Sequence, residues 1–313
     1  MTQQIAFLFP GQGSQSIGML AELQAAFPVV AETFAEASDG LGFDLWKLVQ
    51  DGPESDLNQT HNTQPAMLAA GVAAWRVWKL QGGSDPTVMA GHSLGEYSAL
   101  TCSGSLQFTD AVKLVAERGR LMQQAVPAGV GAMAAVLGLE DVLVREGFGA
   151  SAGEDVVEAV TFNSPGQVVI AGNASAVDRA IEAAKEAGAK RALPLPVSVP
   201  SHCALMKPAA EQLAEVLAGI EVSMPTIPVI HNVNVGIAEN ADSIRQMLVE
   251  QLYSPVRWTE TVQRMQSDGV SLLVEAGPGK VLTGLARRID RKLGAMPLFD
   301  PASLEKLMES LDV

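Results

Sequence analysis

Short apolar segments of the strand type alternate along the chain with longer segments in which apolar residues recur every three to four positions. The apolar runs at residues 5–9, 88–90 and 272–275 predict buried strands, because strands covered on both faces are continuously apolar. Segments 63–80 and 109–124 have the helical spacing instead. Strands that alternate with helices are typical of an α/β fold with a mainly parallel sheet, which we therefore predict.

A different pattern begins at residue 128, where shorter strand-type segments follow one another with small turns between them. They predict strands at residues 132–137, 156–162, 167–171 and 191–197 and a helix at residues 174–187. This β-α-β-β-α-β-like order predicts a small ferredoxin-like domain at residues 128–197. We expect it to be inserted into a large α/β domain formed by residues 1–127 and 198–313.

Composition and charge narrow the classes of function. Hydrophobic residues make up 48% of the 313 residues and charged residues 18%, which predicts a globular chain. Lysine and arginine total 21 against 35 aspartate and glutamate, and the net charge of -14 disfavours nucleic acids and anionic membranes as partners. No apolar segment approaches the length of a membrane span and the N-terminus lacks the basic region of a signal peptide, so we predict a cytoplasmic protein.

The cysteines and the glycine-rich segments give no sign of a metal or of a tightly bound cofactor. Cys102 and Cys203 are far apart and lack the C-x-x-C spacing of thiolate metal sites. Segment 11–16 lacks the third glycine of a dinucleotide-binding fingerprint. After segment 277–280, Val281 stands where a phosphate-binding loop needs serine or threonine. We therefore predict neither a metal nor a tightly bound cofactor.

The sequence Gly-His-Ser-Leu-Gly at residues 91–95 matches the G-x-S-x-G pattern of a nucleophile elbow. It lies between a predicted strand and a predicted helix, which is the context that an elbow requires and which favours an α/β-hydrolase-like large domain. The glycines allow a strained turn without Cβ clashes, so that the serine oxygen projects beside a helix N-terminus. We predict that Ser93 is a nucleophile; the alternative is a glycine-rich turn without a catalytic role.

A serine nucleophile needs a general base, and the chain contains four histidines. His61 lies in a polar segment and is expected to cap a helix or to face solvent, and an elbow would point His92 away from the serine. His202, in a loop after the small domain, and His231, at the end of a strand, both stay open, with His202 modestly favoured. Glu275 is eligible as a third triad member, although a role in anchoring the adjacent glycine-rich turn is an equal alternative.

Five features together resemble the bacterial malonyl-CoA:acyl carrier protein transacylase family. They are Phe-Pro-Gly-Gln-Gly-Ser-Gln at residues 9–15, Gly-His-Ser-Leu-Gly-Glu-Tyr at 91–97, Arg118, Pro-Ser-His at 200–202 and Glu-Ala-Gly-Pro-Gly at 275–279. The similarity runs from residue 4 to the arginine pair at 287–288. The resemblance implies transfer of malonyl from malonyl-CoA to the phosphopantetheine thiol of acyl carrier protein, which supplies fatty-acid synthesis.

The resemblance also implies catalytic roles for individual residues. Ser93 would form a malonyl-serine ester, and His202 would accept and return its proton in a two-step, ping-pong transfer. The backbone N–H groups of Gln12 and Leu94 would form the oxyanion hole. The coenzyme A thioester would enter as a substrate and not as a bound cofactor.

Further residues receive binding and positioning roles from the same resemblance. Arg118 would bind the free carboxylate of malonate as a bidentate fork, with Gln12 and His92 as further substrate contacts. The family typically orients its histidine with a backbone carbonyl, and Gln251 stands at the matching position. Asn232 matches a family position close to the histidine, and the resemblance makes it a second candidate for orienting the ring.

Two other functions are alternatives to malonyl transfer, and a carrier protein would need a docking surface on this chain. A serine esterase or thioesterase would use the same elbow, but its pocket would avoid a buried cation such as Arg118. A non-catalytic module that binds carrier proteins would need no nucleophile. An acidic carrier protein requires a cationic surface, and we expect it from Lys190 and Arg191 beside the small domain and from Arg287 and Arg288 on the last long helix.

Overall fold

Two β-sheets organise the computed structural model, which describes residues 3–127, 129–147, 152–197 and 199–311. The described strands are β1 (Ile5–Phe9), β2 (Val88–Gly91), β3 (Gly131–Leu137), β4 (Val157–Ser164), β5 (Gln167–Asn173), β6 (Arg191–Pro194), β7 (Val229–Ile230), β8 (Leu272–Ala276) and β9 (Gly294–Leu298). The described helices are α1 (Ala21–Ala26), α2 (Val29–Leu41), α3 (Leu45–Asp51), α4 (Glu54–Leu57), α5 (Thr60–Leu80), α6 (Gly95–Cys102), α7 (Phe108–Ala125), α8 (Asp141–Gly147), α9 (Ala174–Glu186), α10 (Lys207–Ala218), α11 (Ala241–Glu250), α12 (Trp258–Ser267), α13 (Val281–Ile289) and α14 (Pro301–Ser310). Short 3-10 helices lie at Ala204–Met206 and Gln251–Tyr253.

The larger sheet has the strand order β7-β2-β1-β8-β9, and each neighbouring pair is parallel. Its central strand β1 is buried along its whole length. Because successive side chains of a strand point to opposite faces, Phe7 packs against α5, with its ring centroid 5.1 Å from that of Trp75. Leu8 packs on the opposite face, in the core that contains α12 and α13. The predicted α/β fold with a mainly parallel sheet is confirmed.

The smaller sheet is antiparallel throughout, with the strand order β4-β5-β3-β6. One face packs against α8 and α9 through a core of its own, which includes Val136, Ile170 and Ile181. The strand expected at 191–197 ends at Pro194, because Pro196 has no N–H to donate to the ladder. The other predicted elements occur with bounds that differ by a few residues.

The last strand and the last helix, β9 and α14, were not predicted from the sequence. Strand β9 pairs with β8 at the edge of the larger sheet, the position at which a strand tolerates a proline such as Pro297. Helix α14 follows, and Asp300 caps it by accepting from the Ser303 N–H at 2.6 Å. The prediction that Arg287 and Arg288 lie on the last long helix is therefore wrong, because they lie on α13. Within the described ranges, no helix combines the length and the apolar character needed to cross a membrane.

The close packing of α6 against β1 positions the candidate site. A Cβ atom at Gly95, the first residue of α6, would lie 2.0 Å from the Phe9 carbonyl oxygen. A Cβ atom at Gly91, the last residue of β2, would lie 1.8 Å from the Gly95 carbonyl carbon. The two glycines are therefore required by close approach, and they force the chain between them into a tight turn at the carboxyl edge of the sheet.

Candidate active site

Ser93 occupies the turn between β2 and α6 in a strained conformation. Its φ of +52° lies in the left-handed region that non-glycine residues rarely adopt. Asn232 bridges the turn: its Oδ1 accepts from the Ser93 N–H at 2.8 Å, and its Nδ2 donates to the Gly91 carbonyl oxygen at 2.8 Å. These hydrogen bonds stabilise the elbow and leave the Ser93 hydroxyl available. The Asn232 amide, a candidate for orienting His202, thus binds the elbow instead.

His202 contacts the Ser93 hydroxyl. The distance between Ser93 Oγ and His202 Nε2 is 2.7 Å, and His202 Nδ1 lies 2.7 Å from the Gln251 carbonyl oxygen. Because a carbonyl oxygen only accepts, the proton of the neutral ring resides on Nδ1 and leaves Nε2 as an acceptor for the hydroxyl. The structure thus brings Ser93 together with His202, whereas His231 contacts Glu96 instead, at 2.8 Å.

The surroundings of His202 keep its ring neutral. Burial, reinforced by the positive charge of Arg118, lowers the pKa of His202 to about 3. A histidine of ordinary pKa would be partly protonated at neutral pH and would then have no free nitrogen for a proton. The imidazole of His202 is therefore neutral, with Nε2 free to accept a proton.

Arg118, on α7, is 1% exposed, and its guanidinium contacts neutral groups. Nη1 donates to Gln64 Oε1 at 2.9 Å and Nη2 donates to Gln251 Oε1 at 3.0 Å. The guanidinium carbon lies 5.3 Å from the centroid of the Tyr97 ring, and burial raises the pKa of Tyr97 to about 12, so that this side chain is neutral too. A buried cation without a carboxylate partner is costly, and an anionic ligand would offset that cost.

A cavity of about 270 Å³ joins these groups. Its walls come from the turn after β1, the elbow, α5, α7, α13 and the face of the smaller sheet opposite its helices. Gln12, His92 and Leu94 all line the cavity, as do Ser93, His202 and Arg118. Ser93, His202 and the Arg118 guanidinium therefore share one cavity.

The backbone of Gln12 and Leu94 fits the expected oxyanion hole. Among the described residues, neither N–H donates to an acceptor, although both residues line the cavity. His92 does not contact Ser93 through its ring; its Nε2 lies 2.8 Å from Asn163 Oδ1 on β4, and burial lowers the pKa of His92. His92 thus ties the elbow to the smaller sheet.

Comparisons with known proteins agree with this geometry. A family profile described as "acyl transferase domain" matches residues 6–293. The malonyl CoA-acyl carrier protein transacylase of Escherichia coli K12 is 58% identical over 306 residues, which span 98% of this chain and 99% of that protein. This chain belongs to the malonyl-CoA:acyl carrier protein transacylase family. The resemblance drawn from the sequence motifs is confirmed.

Solved structures extend the similarity to three dimensions. The acyl carrier protein S-malonyltransferase of Vibrio cholerae is 60% identical and superposes with a TM-score of 0.96, over 97% of this chain and 100% of that one. A malonyl-transacylase in complex with its type II PKS acyl-carrier protein is 59% identical, with a TM-score of 0.97, over 98% and 100% of the two chains. The transacylase fold is therefore shared along nearly the whole chain.

The Glu275 carboxylate binds the start of α13 and not the His202 ring, which the third member of a catalytic triad would contact. Its Oε1 accepts from the Leu282 N–H at 2.9 Å, and its Oε2 accepts from both the N–H and the hydroxyl of Thr283 at 2.7 Å. These donors lie on the first turn of α13. Glu275 thus anchors the N-terminus of this helix, and the group beside His202 Nδ1 is the Gln251 carbonyl.

The four cationic residues expected at a docking surface are all exposed but differ in location. Arg288 donates to the Oε1 atom of Gln167, which lines the cavity. Arg287 faces a separate shallow hollow beside β9. The stem of Lys190 packs against Gly138, and Arg191 follows it at the start of β6. Of the four, Arg288 is in contact with the wall of the cavity.

Sequence reasoning missed the polar side chains behind the site. Gln64 and the Gln251 side chain contact Arg118, and the buried carboxylate of Glu96 contacts Gln251. The sequence carries no signal that singles out Gln64, because it ends the polar run Thr-His-Asn-Thr-Gln with which α5 begins. His61, expected to cap or to face solvent, is half-buried, with Nδ1 2.6 Å from Gln123 Oε1.

The low pKa of His202 predicts that the reactivity of Ser93 persists in mild acid. The pKa is lowered, so the neutral base is present down to about pH 3, whereas an ordinary histidine would lose about nine-tenths of its base form between pH 7.5 and 5.5. We expect the rate of Ser93 labelling by phenylmethylsulfonyl fluoride, corrected for reagent hydrolysis, to stay within about twofold over that range. A tenfold fall with a midpoint near pH 6.5 would contradict the prediction.

Proposed function

We propose that this chain transfers the malonyl group from malonyl-CoA to the phosphopantetheine thiol of acyl carrier protein through a malonyl-serine intermediate, supplying fatty-acid synthesis. The observation that carries the proposal is the buried guanidinium of Arg118 in the same cavity as Ser93 and His202, with neutral amides as its partners. The names of the relatives and the solved complex of one of them with its acyl-carrier protein support the same substrates.

The first half-reaction acylates Ser93. As Ser93 Oγ attacks the thioester carbonyl carbon, His202 Nε2 accepts the hydroxyl proton across the 2.7 Å contact. The N–H groups of Gln12 and Leu94 stabilise the negative oxygen of the tetrahedral intermediate. The intermediate then collapses, the carbon–sulfur bond breaks, and the coenzyme A sulfur leaves with the proton from His202.

The second half-reaction reverses these roles. The phosphopantetheine thiol gives its proton to His202 Nε2 and attacks the carbonyl carbon of the malonyl ester. The same oxyanion hole receives the developing charge. When the ester bond breaks, Ser93 recovers its proton from His202, and malonyl leaves on the carrier protein. The two half-reactions transfer only protons and the acyl group, so neither requires a redox step or a metal.

Arg118 supplies the selectivity for malonate. A malonyl group retains a free carboxylate after esterification, and two N–H groups of a guanidinium match a carboxylate bidentately. The Gln251 carbonyl orients His202, Asn232 stabilises the elbow, and Gln12 and His92 contact the acyl group from the cavity wall.

We also propose the finer description of the fold. The strand order β4-β5-β3-β6, with two helices on one face, supports a ferredoxin-like subdomain at residues 128–197. The strand–Ser93–helix turn on a parallel sheet supports an α/β-hydrolase-like description of residues 1–127 and 198–313. The two cysteines, which are free thiols, support a cytoplasmic location.

Intact-mass measurement tests the proposed transfer. We expect wild-type protein incubated with malonyl-CoA to gain one malonyl group, and to lose it when acyl carrier protein is added, with the carrier gaining the same mass. Ser93→Ala should gain nothing, and His202→Ala should be acylated roughly 10²-fold more slowly. Loss of the acyl group to water at the same rate without carrier protein would support an esterase or thioesterase instead, and labelling of Ser93→Ala would overturn the nucleophile.

Arg118→Ala should impair malonyl transfer far more than acetyl transfer, because only malonate has a carboxylate for the guanidinium. Removing the partner of a buried charge costs about 2 kcal/mol or more, which corresponds to roughly 30-fold in kcat/KM for malonyl-CoA. The kcat/KM for acetyl-CoA serves as the internal control. An equal loss for both thioesters would show that Arg118 only supports the structure.

We further propose that the acidic carrier protein docks on cationic surface at the cavity mouth. Arg288 carries this proposal through its contact with the cavity-lining Gln167. Lys190 and Arg191 extend the candidate surface along the smaller sheet, where Arg191 and Gln167 both pair with Leu137 from opposite sides. Arg287, on the same helix, faces the separate hollow. Attraction between the two proteins must overcome the net charge of -14 on this chain.

Charge reversal at two neighbouring arginines tests the docking surface. Arg288→Glu should raise the KM for carrier protein by about tenfold at low salt and leave acylation of Ser93 by malonyl-CoA nearly unchanged. Arg287→Glu is the matched control and should have a smaller effect. The difference should shrink as salt rises, because exposed charges are screened. Equal KM values for both variants and wild type would show that the carrier protein does not dock at Arg288. Charge reversal at Lys190 and Arg191 would then be the next test.

A further inference from the structure

Glu96 carries a buried carboxylate directly behind the elbow, in the first turn of α6 and 0% exposed. Its Oε1 accepts from His231 Nδ1 at 2.8 Å. Its Oε2 accepts from the Asn232 N–H and from Gln251 Nε2, both at 2.9 Å. None of these partners bears a permanent positive charge, so the carboxylate is not held there by an ion pair with lysine or arginine.

The carboxylate determines which way the Gln251 amide points. An ionised carboxylate can only accept hydrogen bonds, so it requires the Nε2 end of the amide. The same Nε2 also donates to the Ser93 carbonyl oxygen at 3.1 Å, a second acceptor on the same side. With Nε2 committed to these two acceptors, Oε1 must face the opposite direction.

The opposite direction is that of Arg118, whose Nη2 donates to Gln251 Oε1 at 3.0 Å. If the amide were reversed, Nε2 would meet the guanidinium with two donors face to face, and the guanidinium would have to move. The other arm of Arg118 contacts Gln64 Oε1, and that hydrogen bond positions only the Nη1 arm. The orientation of the Gln251 amide is therefore needed to determine where the guanidinium lies.

We propose that Glu96 is a positioning residue for acyl-group selectivity: its carboxylate orients the Gln251 amide and thereby places the Arg118 guanidinium for the malonyl carboxylate. We call the contacts from Glu96 through Gln251 to Arg118 the relay. This inference rests on the proposed function, because the relay would affect the selectivity of the enzyme for malonate. Glu96 acts through Gln251 and does not touch the acyl group. An acetyl group needs no guanidinium, so its transfer is independent of the relay.

Two conservative substitutions of Glu96 distinguish the effect of its side-chain length from the effect of its charge. Glu96→Asp retains the charge but withdraws the carboxylate by about 1.5 Å, beyond hydrogen-bond distance of Gln251 Nε2. We expect it to lower the ratio of kcat/KM for malonyl-CoA to that for acetyl-CoA by about tenfold or more. Glu96→Gln retains the length of the side chain, and its amide oxygen can accept from Gln251 Nε2. Its NH₂ group can donate to His231 Nδ1 if the His231 proton moves to Nε2. The malonyl-to-acetyl ratio of kcat/KM should therefore stay within about threefold of the wild-type value.

A role limited to stability would not produce this pattern. Loss of folded protein would lower both kcat/KM values together and leave their ratio unchanged, and thermal melting would record it. The proposal is overturned if Glu96→Asp leaves the ratio unchanged, or if Glu96→Gln lowers it as much as Glu96→Asp does, because charge rather than orientation would then be the cause.

A double-mutant cycle with Gln251→Met tests the relay itself and remains informative if Glu96→Asp does not fold. Gln251→Met removes the amide but keeps the backbone carbonyl that contacts His202. We expect it to lower the malonyl-to-acetyl ratio, and the addition of Glu96→Asp to lower the ratio no further. An unchanged ratio in Gln251→Met, or a further fall in the double variant, would overturn the relay.

The wild-type protein distinguishes this inference from the proposed function. If wild type forms no malonyl-serine or does not prefer malonyl-CoA to acetyl-CoA, the proposed function itself fails. If wild type shows the preference and Glu96→Asp retains it in full, the proposed function stands and only the role of Glu96 is overturned.

Discussion

The close packing of α6 on β1 is the constraint on which the rest of the site depends. Gly95 has no room for a side chain beside the Phe9 carbonyl, and this approach forces Ser93 into a left-handed conformation with φ of +52°. Such a turn points the hydroxyl into the cavity, and its backbone N–H needs an acceptor from elsewhere in the chain. Asn232 provides it at 2.8 Å, so a long-range hydrogen bond stabilises the strained turn at Ser93.

Burial then determines the charges in the cavity. The smaller sheet contributes apolar residues such as Met133 and Val169 to its wall, and a poorly solvated wall disfavours every charge inside. His202 responds by becoming a neutral base, with its pKa lowered to about 3. Arg118 remains a cation, because a guanidinium does not give up its proton under ordinary conditions. The same wall therefore keeps the His202 imidazole neutral and surrounds a cation that has no carboxylate partner.

Neutral amides are what keep that positive charge available. If Gln64 or Gln251 were a carboxylate, it would pair with Arg118 in the empty site, and a substrate carboxylate would have to compete with it. The nearest buried carboxylate, Glu96, is instead separated from the guanidinium by the Gln251 amide. The arrangement holds the cation without a carboxylate partner, and it connects Arg118 through Gln251 to α6, the helix that follows the Ser93 turn.

The sequence by itself determined the parallel sheet, the elbow and the family, because continuous apolar runs and the glycines around Ser93 reflect local requirements of backbone and burial. Residue spacing left His202 and His231 both open, and the family resemblance favoured His202. The tertiary structure brings His202 to 2.7 Å from Ser93, although the two residues are 109 positions apart in the chain. Only the tertiary structure decided the network of Gln64, Glu96 and Gln251. A hydrogen bond depends on distance and direction between groups from separate elements, and neither is written in the order of residues along one segment.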